Sequence, residues 1–279
     1  MSDKMYNDDP EYKKLIDKNY IWTDQCILGF FKENFWLSNF YEHNKNPFNC
    51  VLCQDINLVK KIDNVNHQYP SVENYYQSEK ADREDFEQGN LKGKDAYYAF
   101  KAEMSKCSPD RAKKLGRAVK LREGWEQEKV KVMYHALKEK FNWYLHPILC
   151  KKLLNTRNAY LAEVNYWEDY FWGCELVNPL DKSDKLPDYP LVKINLIQPV
   201  KTYIDWQNWS IVTQQSKAIE YNGKIVLQLY GHNILGKLLM KRREELKVEM
   251  PEEYVQELSI NELYGIKGFK IPEMVKELQ

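Results

Sequence analysis

The sequence predicts an α+β fold that is rich in helices and carries a small antiparallel sheet and an inserted β-hairpin. Short aromatic or β-branched runs such as CILGFF, FWLSNF and CVLCQDINLV occupy residues 26–60 and are broken by Asn, His and Pro, which favours strands and loops. Apolar spacing typical of helices dominates residues 71–154. Asn222 and Gly223 lie between two β-type runs, and this dipeptide is a strong hairpin signal.

Capping residues and apolar spacing predict where the helices begin. A serine before a helix accepts a hydrogen bond from a free backbone N–H, and a proline fits the first turn. Ser71 and the pair Ser108-Pro109 supply these signals. The predicted helices cover approximately 71–81, a segment from 109, 125–141, 147–154 and a segment that Asn233 caps. The run KRR at 241–243 is interpreted as a solvated helix end.

Composition excludes several classes of function. The 279 residues are 43% hydrophobic, and 41 Lys and Arg balance 41 Asp and Glu. A dedicated duplex-DNA binder usually has a strong basic excess, so this balance argues against broad affinity for nucleic acid. The aromatic fraction of 14% exceeds what a core needs and indicates a surface for planar heterocycles.

The N-terminus and the cysteines set further expectations. The start, MSDKMYNDDPEYKK, lacks the apolar run of a signal peptide, and we expect a cytoplasmic protein. Cys50 and Cys53 form a C-x-x-C pair, but a structural zinc site normally needs a second pair or two histidines. We therefore expect reduced thiols, no metal and no cofactor.

The segment YPSVENYYQSEK at 69–80 is the strongest candidate for chemistry. If it is helical, Glu73 and Lys80 occupy positions i and i+7 and lie on one face, with Tyr76 and Gln77 between them. The alternative is that Glu73 merely complements the helix dipole and Lys80 is solvated.

Several ordered motifs resemble the NADAR family, also called the YbiA-like family. Asn74 follows the motif glutamate where family members commonly have histidine, and residues 178–222 form an insertion between two of the motifs. The matching segments are LSNF (37–40), YPSVENYYQSEKA (69–81), RAKKLGRAV (111–119), KFNWYL (140–145), LLNT (153–156), LAEV (161–164), DYFWG (169–173) and GHNILGKLLMKRR (231–243).

The resemblance implies a YbiA-like domain at 26–246, with an N-terminal extension (1–25) and a C-terminal helical tail (247–279). It implies a hydrolase that cleaves the N-glycosidic bond between ribose and a nitrogen heterocycle. The resemblance implies one of two substrate classes: a phosphoribosyl-amine intermediate of riboflavin biosynthesis, or ADP-ribose on guanine in nucleic acid together with related NAD-derived molecules. The alternatives are a non-catalytic module that binds ADP-ribose and an interaction protein that uses the insertion.

Roles in catalysis follow from the same resemblance. We expect Glu73 to stabilise the oxocarbenium-like charge or to activate water. Asp169 is the second acid, with a turn cap as its alternative role. Lys80 attacks C1 and forms a Schiff base, with a salt bridge that fixes Glu73 as the alternative.

Roles in substrate binding are assigned to the remaining motif residues. We expect aromatic rings to stack on the base and the LSNF loop to supply hydrogen bonds. Arg117 and the helix start after Gly231 are expected to hold the phosphate. At that helix start, Asn233 would cap the helix and Gly236 would permit close approach of the ligand. Core packing is the alternative for Trp125, and tight helix packing is the alternative for Gly236. The assigned binding residues are Ser38, Asn39, Phe40, Tyr76, Arg117, Trp125, Trp172, Gly173, Asn233 and Gly236.

Overall fold

The computed structural model describes residues 20–23, 26–42, 60–62, 65–177, 191–196, 219–221 and 224–251. Helices and small sheets both occur there, which confirms the predicted α+β class. The helices are α1 (Val72–Ser78), α2 (Gly93–Met104), α3 (Pro109–Ala118), α4 (Trp125–Lys140), α5 (Pro147–Asn155) and α6 (Ile234–Glu249). The strands are β1 (Tyr20–Thr23), β2 (Cys26–Leu28), β3 (Lys60–Ile62), β4 (Val65–His67), β5 (Glu87–Gln88), β6 (Leu91–Lys92), β7 (Tyr160–Ala162), β8 (Glu175–Val177), β9 (Leu191–Leu196), β10 (Ile219–Tyr221) and β11 (Lys224–Tyr230).

The chain divides into two compact units. The sheet unit comprises residues 1–36 and 156–240, and the helical unit comprises residues 37–155 and 241–279. The domain boundaries predicted at 26 and 246 stay a prediction, as do the helices of the C-terminal tail, which lie outside the described residues.

Helix α1 is the centre of the helical unit. Ser71 caps it as predicted, because its Oγ accepts a hydrogen bond from the Asn74 N–H at 3.2 Å. The helix ends at Ser78, three residues before the predicted end, and Ala81 instead forms an antiparallel bridge with Leu121. All residues of α1 are buried, since α2, α3 and α4 pack around it.

Asn74 has a structural role in this packing. Its amide donates to the carbonyls of Met104 and Cys107, both at 2.8 Å, and so holds the end of α2 against α1. The side chain is fully buried and does not share the face of Glu73 and Lys80. The departure from the family's histidine therefore falls on a helix junction of the helical unit.

Helix α2 was not predicted from the sequence. Its N-cap position is Lys92, whose side chain makes no capping hydrogen bond, and the helix follows a short hairpin of β5 and β6. The N-cap position thus lacks the Ser, Thr, Asp or Asn that would signal a helix start. By contrast, Ser108 accepts from the Arg111 N–H at 3.4 Å and caps α3 as predicted.

The sheet unit is built on a five-stranded mixed sheet. The order is β1-β9-β11-β10, and β8 also pairs with β11. The prediction of an antiparallel sheet is correct only in part, because β1 runs parallel to β9 and β2 runs parallel to β7. Buried residues of β8, β9 and β11, among them Leu176, Ile194 and Leu227, form the core of this unit.

The described part of the insertion belongs to this sheet. Strand β9 lies between β1 and β11, and β10 pairs with β11 in the predicted hairpin, with Tyr221 opposite Lys224. These two strands are hydrogen-bonded members of the main sheet, and a role of the insertion in choosing the substrate stays a prediction. Trp206 and Trp209 lie outside the described residues.

Two further expectations differ from the structure. Residues Lys32–Leu37, within the predicted strands and loops of 26–60, form a 3₁₀ helix. The KRR run is not a solvated helix end: Arg242 is buried, donates to the Phe141 carbonyl at 2.9 Å and pairs with Glu249 at 2.8 Å. A buried guanidinium is held because carboxylate and carbonyl acceptors replace the water it loses.

Cysteines and membrane-spanning potential can be stated for the described residues. Cys26, Cys107, Cys150 and Cys174 are free thiols, whereas Cys50 and Cys53 lie outside those residues. Within the described ranges, no group of three His, Cys, Asp or Glu side chains is placed to hold a metal ion. In the same ranges, every helix is too short or too polar to span a bilayer.

Candidate functional site

Glu73 is a buried carboxylate on α1. The side chain is 6% exposed, and its Oε1 accepts a hydrogen bond from the Gln77 amide at 2.7 Å. Burial raises the pKa of Glu73, while the Gln77 hydrogen bond and then Lys113, Lys80 and Arg117 act to lower it. It forms no ion pair with any described residue. Glu73 is thus more than a solvated acid at a helix start.

Lys80 lies two residues after the end of α1, and its charge acts on Glu73. It is half-buried, and its Nζ lies 5.4 Å from the centroid of the Tyr76 ring. Burial lowers the pKa of Lys80; Glu73 raises it, and Arg117 lowers it further. The alternative of a salt bridge that fixes Glu73 is not found, since Lys80 makes no ion pair within the described residues. A lysine with a lowered pKa has more of the neutral, nucleophilic amine.

A close helix crossing holds the partner of Glu73. A Cβ atom added at Gly116 of α3 would lie 2.1 Å from Oε1 and 2.7 Å from Cβ of Gln77. Only glycine therefore lets α3 approach α1 this closely. Gln77 is pressed against α3 and donates to Glu73, so the crossing fixes the orientation of the carboxylate.

The same crossing brings cations to the carboxylate. Lys113 and Arg117 are one helical turn apart on α3, and both lower the pKa of Glu73. Lys113 is half-buried, with its Nζ 5.2 Å from the centroid of the Phe40 ring, and Arg117 is exposed. The electrostatic surroundings of Glu73 within the helical unit are thus dominated by positive charge.

Tyr76 and Trp125 are core residues. Their side chains are 5% and 3% exposed, and their ring centroids lie 5.1 Å apart. The packing alternative for Trp125 is therefore the one observed, and the same holds for Tyr76. Phe40 is only half-buried, which leaves it as the better candidate among these three for stacking on a base.

The LSNF loop contacts the start of α1. The Asn39 carbonyl accepts a hydrogen bond from the Glu73 N–H at 3.0 Å, and the Asn39 amide donates to Met133 Sδ at 3.4 Å. Asn39 Oδ1 is buried and makes no hydrogen bond within the described residues. Ser38 Oγ accepts from the Phe40 N–H at 3.2 Å. The loop is thus hydrogen-bonded to the backbone of Glu73, and its role in substrate binding stays a prediction.

Asp169, Trp172 and Gly173 lie in the sheet unit. One carboxylate oxygen of Asp169 accepts from the Trp172 N–H at 3.0 Å, which is the turn cap considered as its alternative role. Gly173 is needed for close packing, because a Cβ there would lie 2.4 Å from the Glu163 carbonyl oxygen. The Trp172 ring packs edge-on against Phe171 with centroids 5.0 Å apart.

The start of α6 does not present the expected anion site. Four successive backbone N–H groups donate to the carbonyls of the DYFWG turn at 2.7–3.1 Å. The pairs are His232 to Tyr170, Asn233 to Gly173, Ile234 to Phe171 and Leu235 to Trp172. Backbone donors with carbonyl partners are not available to a phosphate, so this part of the prediction is corrected.

Asn233 and Gly236 join α6 to β7. The Asn233 amide donates to the Leu161 carbonyl at 2.9 Å, and its Oδ1 accepts from the Glu163 N–H at 3.0 Å. The side chain is therefore used on the strand instead of capping the helix. A Cβ at Gly236 would lie 2.1 Å from the Leu161 carbonyl oxygen, so tight packing explains this glycine.

Sequence analysis placed Gln77 between Glu73 and Lys80 but gave it no role, and it did not identify Lys113. Gln77 stands one turn after Glu73 in the sequence, and that spacing could have indicated its contact with the carboxylate. Lys113 approaches α1 only through the tertiary packing, so no local pattern signals it.

A separate cavity of about 510 Å³ lies on the opposite face of α1. Its lining includes Tyr75, Glu79, Tyr97 and His135 but neither Glu73 nor Lys80. The volume suits a small molecule. The candidate site is instead the region around the Glu73 carboxylate and the Lys80 amine.

Comparison with known proteins agrees with the motif resemblance. The family model for the NADAR domain matches residues 29–186, more than half of the chain. The chain belongs to the NADAR domain family. The riboflavin biosynthesis protein PYRR, chloroplastic, of Zea mays is 35% identical over 111 residues, which are 38% of this chain. This NADAR chain spans only 16% of the length of the maize protein.

A solved structure is also similar to this NADAR chain. The NMR structure of the E. coli protein YbiA is 21% identical and has a TM-score of 0.42. The similarity covers 84% of this chain and 91% of YbiA.

Proposed function

We propose that this protein is an N-glycosidase that hydrolyses the bond between C1 of a ribose and a nitrogen of a heterocycle. The observation that carries the proposal is the pairing of Glu73 and Lys80. A buried carboxylate on α1 and a half-buried amine just beyond the end of α1 act electrostatically on each other, and neither is used in an ion pair with a described residue. Burying charged groups without an ion-pair partner costs stability, which favours a functional reason for keeping them.

The chemistry requires a group that stabilises positive charge on the sugar. As the C1–N bond breaks, its electron pair leaves with the nitrogen and the ribose becomes oxocarbenium-like. The ionised Glu73 stabilises that charge or removes a proton from the attacking water. Because the pKa of Glu73 is raised by burial, its acid form is also more populated and can give a proton to the leaving nitrogen.

Lys80 offers a covalent route to the same products. Its neutral amine attacks C1, the base departs with the electron pair and takes up a proton, and the sugar ring opens to give a Schiff base. Water then adds to the Schiff base, and hydrolysis releases the sugar and restores the amine. The lowered pKa of Lys80, caused first by burial, supports this route.

The charge of the site supports an anionic substrate. Lys80, Lys113 and Arg117 all act electrostatically on the single carboxylate of Glu73. A cluster of cations around one buried anion attracts phosphate groups. We propose a phosphoribosyl or ADP-ribosyl substrate, either as a small molecule or on nucleic acid, and the name of the maize relative directs attention to riboflavin intermediates.

A mass-spectrometric assay tests the proposal. The panel contains phosphoribosylamino-pyrimidines, NAD, ADP-ribose and oligonucleotides with ADP-ribosylated guanine. Glu73→Gln is the test variant, and Glu123→Gln, at an exposed position, is the matched control. We expect release of a free base by the wild type and the control but not by Glu73→Gln. Binding without release would instead support a non-catalytic ADP-ribose module, and neither binding nor release would refute the proposal.

A further inference from the structure

Lys80 lies beyond the end of its helix. Helix α1 ends at Ser78 with Glu79 as its C-cap, and the Lys80 N–H makes only a long hydrogen bond of 3.4 Å to the Gln77 carbonyl. The next residue, Ala81, already belongs to the bridge with residue 121. Helical geometry alone therefore does not fix the direction of the Lys80 side chain.

Arg122 binds the backbone on both sides of this point. The backbone N–H of Arg122 donates to the Lys80 carbonyl at 2.9 Å, and the side-chain Nε donates to the Glu79 carbonyl at 2.8 Å. The guanidinium also donates to Glu128 at 2.6 Å. One residue thus holds two successive carbonyls of the segment that carries Lys80.

Arg122 also supports the surface beneath the Lys80 ammonium. Its guanidinium carbon lies 5.3 Å from the Trp125 ring, and Trp125 packs on Tyr76 at 5.1 Å. The Lys80 Nζ lies over Tyr76 at 5.4 Å. Arg122 is thus connected to Lys80 in two ways: through the side chains of Trp125 and Tyr76, and through its hydrogen bonds to the backbone.

We propose that Arg122 is a positioning residue for Lys80, which fixes the backbone at the end of α1 and the aromatic surface under the amine. The inference deepens the proposed function and rests on it, since that function gives Lys80 its role. Arg122 itself acts through Lys80 and not on the substrate.

The proposal has a consequence for the Lys80 amine. Burial is the main cause that lowers the pKa of Lys80, with Arg117 and Lys113 lowering it and Glu73 and Glu126 raising it. If the segment loosens, water reaches the ammonium and the pKa of Lys80 rises toward that of an exposed lysine.

Two variants separate positioning from charge. Arg122→Lys keeps the positive charge but lacks the planar guanidinium and its Nε–H, whereas Arg122→Gln loses the charge as well. Arg111→Gln is the matched control, because Arg111 is an exposed arginine that pairs with Glu103 elsewhere in the helical unit. Thermal unfolding of each variant checks that it is folded.

The measurement is an NMR titration of ¹³C-dimethylated lysines, with the Lys80 signal assigned by its loss in Lys80→Arg. We expect the Lys80 titration midpoint to move to higher pH in both Arg122 variants and to stay unchanged in Arg111→Gln. If Arg122→Lys titrates like the wild type, charge suffices and the positioning role is refuted. The same conclusion follows if neither Arg122 variant moves the midpoint.

Kinetics give a second readout on the substrate that the panel identifies. Misplacing a reacting group by about 1 Å costs up to about 100-fold in rate, so kcat should fall by roughly 10- to 100-fold in Arg122→Lys with little change in KM. An unchanged kcat would overturn the proposal. If the wild type cleaves nothing, the proposed function fails, while the titration still decides whether Arg122 positions Lys80.

Discussion

Replacing Glu73 by glutamine removes one negative charge at nearly constant shape. The wild-type carboxylate is 6% exposed and accepts a hydrogen bond from Gln77 at 2.7 Å. The carbonyl oxygen of a glutamine at the same position can accept that hydrogen bond, and the Gly116 crossing that holds Gln77 is untouched. The variant should therefore keep the fold and isolate the contribution of the charge.

The expected loss of activity is large. Removing one preorganised electrostatic partner of a transition state costs on the order of 100- to 1000-fold in rate, or about 2.7–4 kcal/mol of activation free energy. Burial keeps solvent from screening the missing charge, so we expect the Glu73→Gln variant to fall in that range for kcat. The assay is base release followed by mass spectrometry, with substrate affinity measured separately by calorimetry.

The Glu73→Gln variant should be at least as stable as the wild type, and the size of the difference depends on pH. The folded-state pKa of Glu73 lies above its unfolded value because of burial, so the folded state binds the proton more tightly. Wild-type stability from this group is complete below the unfolded pKa and is lost as pH rises through the folded pKa. Glutamine does not ionise, and each unit of pKa difference is worth about 1.4 kcal/mol. We expect the variant to match the wild type near pH 4 and to exceed it near pH 8.

Two results would refute this reasoning. If Glu73→Gln turns over substrate like the wild type, the carboxylate is only an acid at a helix start. If urea unfolding shows the same free-energy difference between the two proteins at pH 4 and pH 8, the carboxylate does not ionise at a cost in the folded state. Glu123→Gln, at an exposed position, provides the baseline for both measurements.

Three further predictions address the covalent route, the helix crossing and the insertion. Borohydride added during turnover should leave a sugar adduct on Lys80, detected by peptide mass spectrometry; a clean spectrum at rapid turnover would favour direct attack by water. Gly116→Ala should lower the free energy of unfolding by about 1–3 kcal/mol, because the new methyl group overlaps Gln77, and unchanged urea unfolding would contradict that contact. Replacing Trp206 and Trp209 with alanine should weaken substrate binding by roughly 1–3 kcal/mol if both stack on a base; an unchanged KM would exclude them from the site.

Local signals predicted the helices that have them. Ser71 and Ser108 cap α1 and α3 because a side-chain oxygen three residues before a free N–H forms the same hydrogen bond in any fold. Helix α2 lacks such a cap and was missed. The parallel pairing of β1 with β9 joins residues 20–23 to residues 191–196, and no local pattern specifies a pairing at that separation.

The candidate site also contains residues that local patterns predict and residues that only the tertiary fold brings together. Helical periodicity predicted that Glu73 and Lys80 lie close together. In the structure their charges do act on each other, although the helix ends at Ser78 and does not itself fix the position of Lys80. The approach of Lys113 depends on the crossing of α1 and α3 at Gly116, which is a tertiary contact. The burial of Trp125 could not be predicted from the sequence either, because an aromatic residue at a helix start has the same local pattern whether it binds a ligand or packs in the core.

The start of α6 shows why a motif can indicate the wrong chemistry. Glycine, asparagine and a following helix are also the pattern of an anion site, since free N–H groups at a helix start attract phosphate. An anion can bind only if those N–H groups are not already hydrogen-bonded. Here the N–H groups of residues 232–235 donate to the carbonyl oxygens of residues 170–173. Under the proposed function, we expect side chains to bind the phosphate instead of the start of α6. Lys113 and Arg117 are the cations whose charge already acts on Glu73, so they are the groups we expect to hold it.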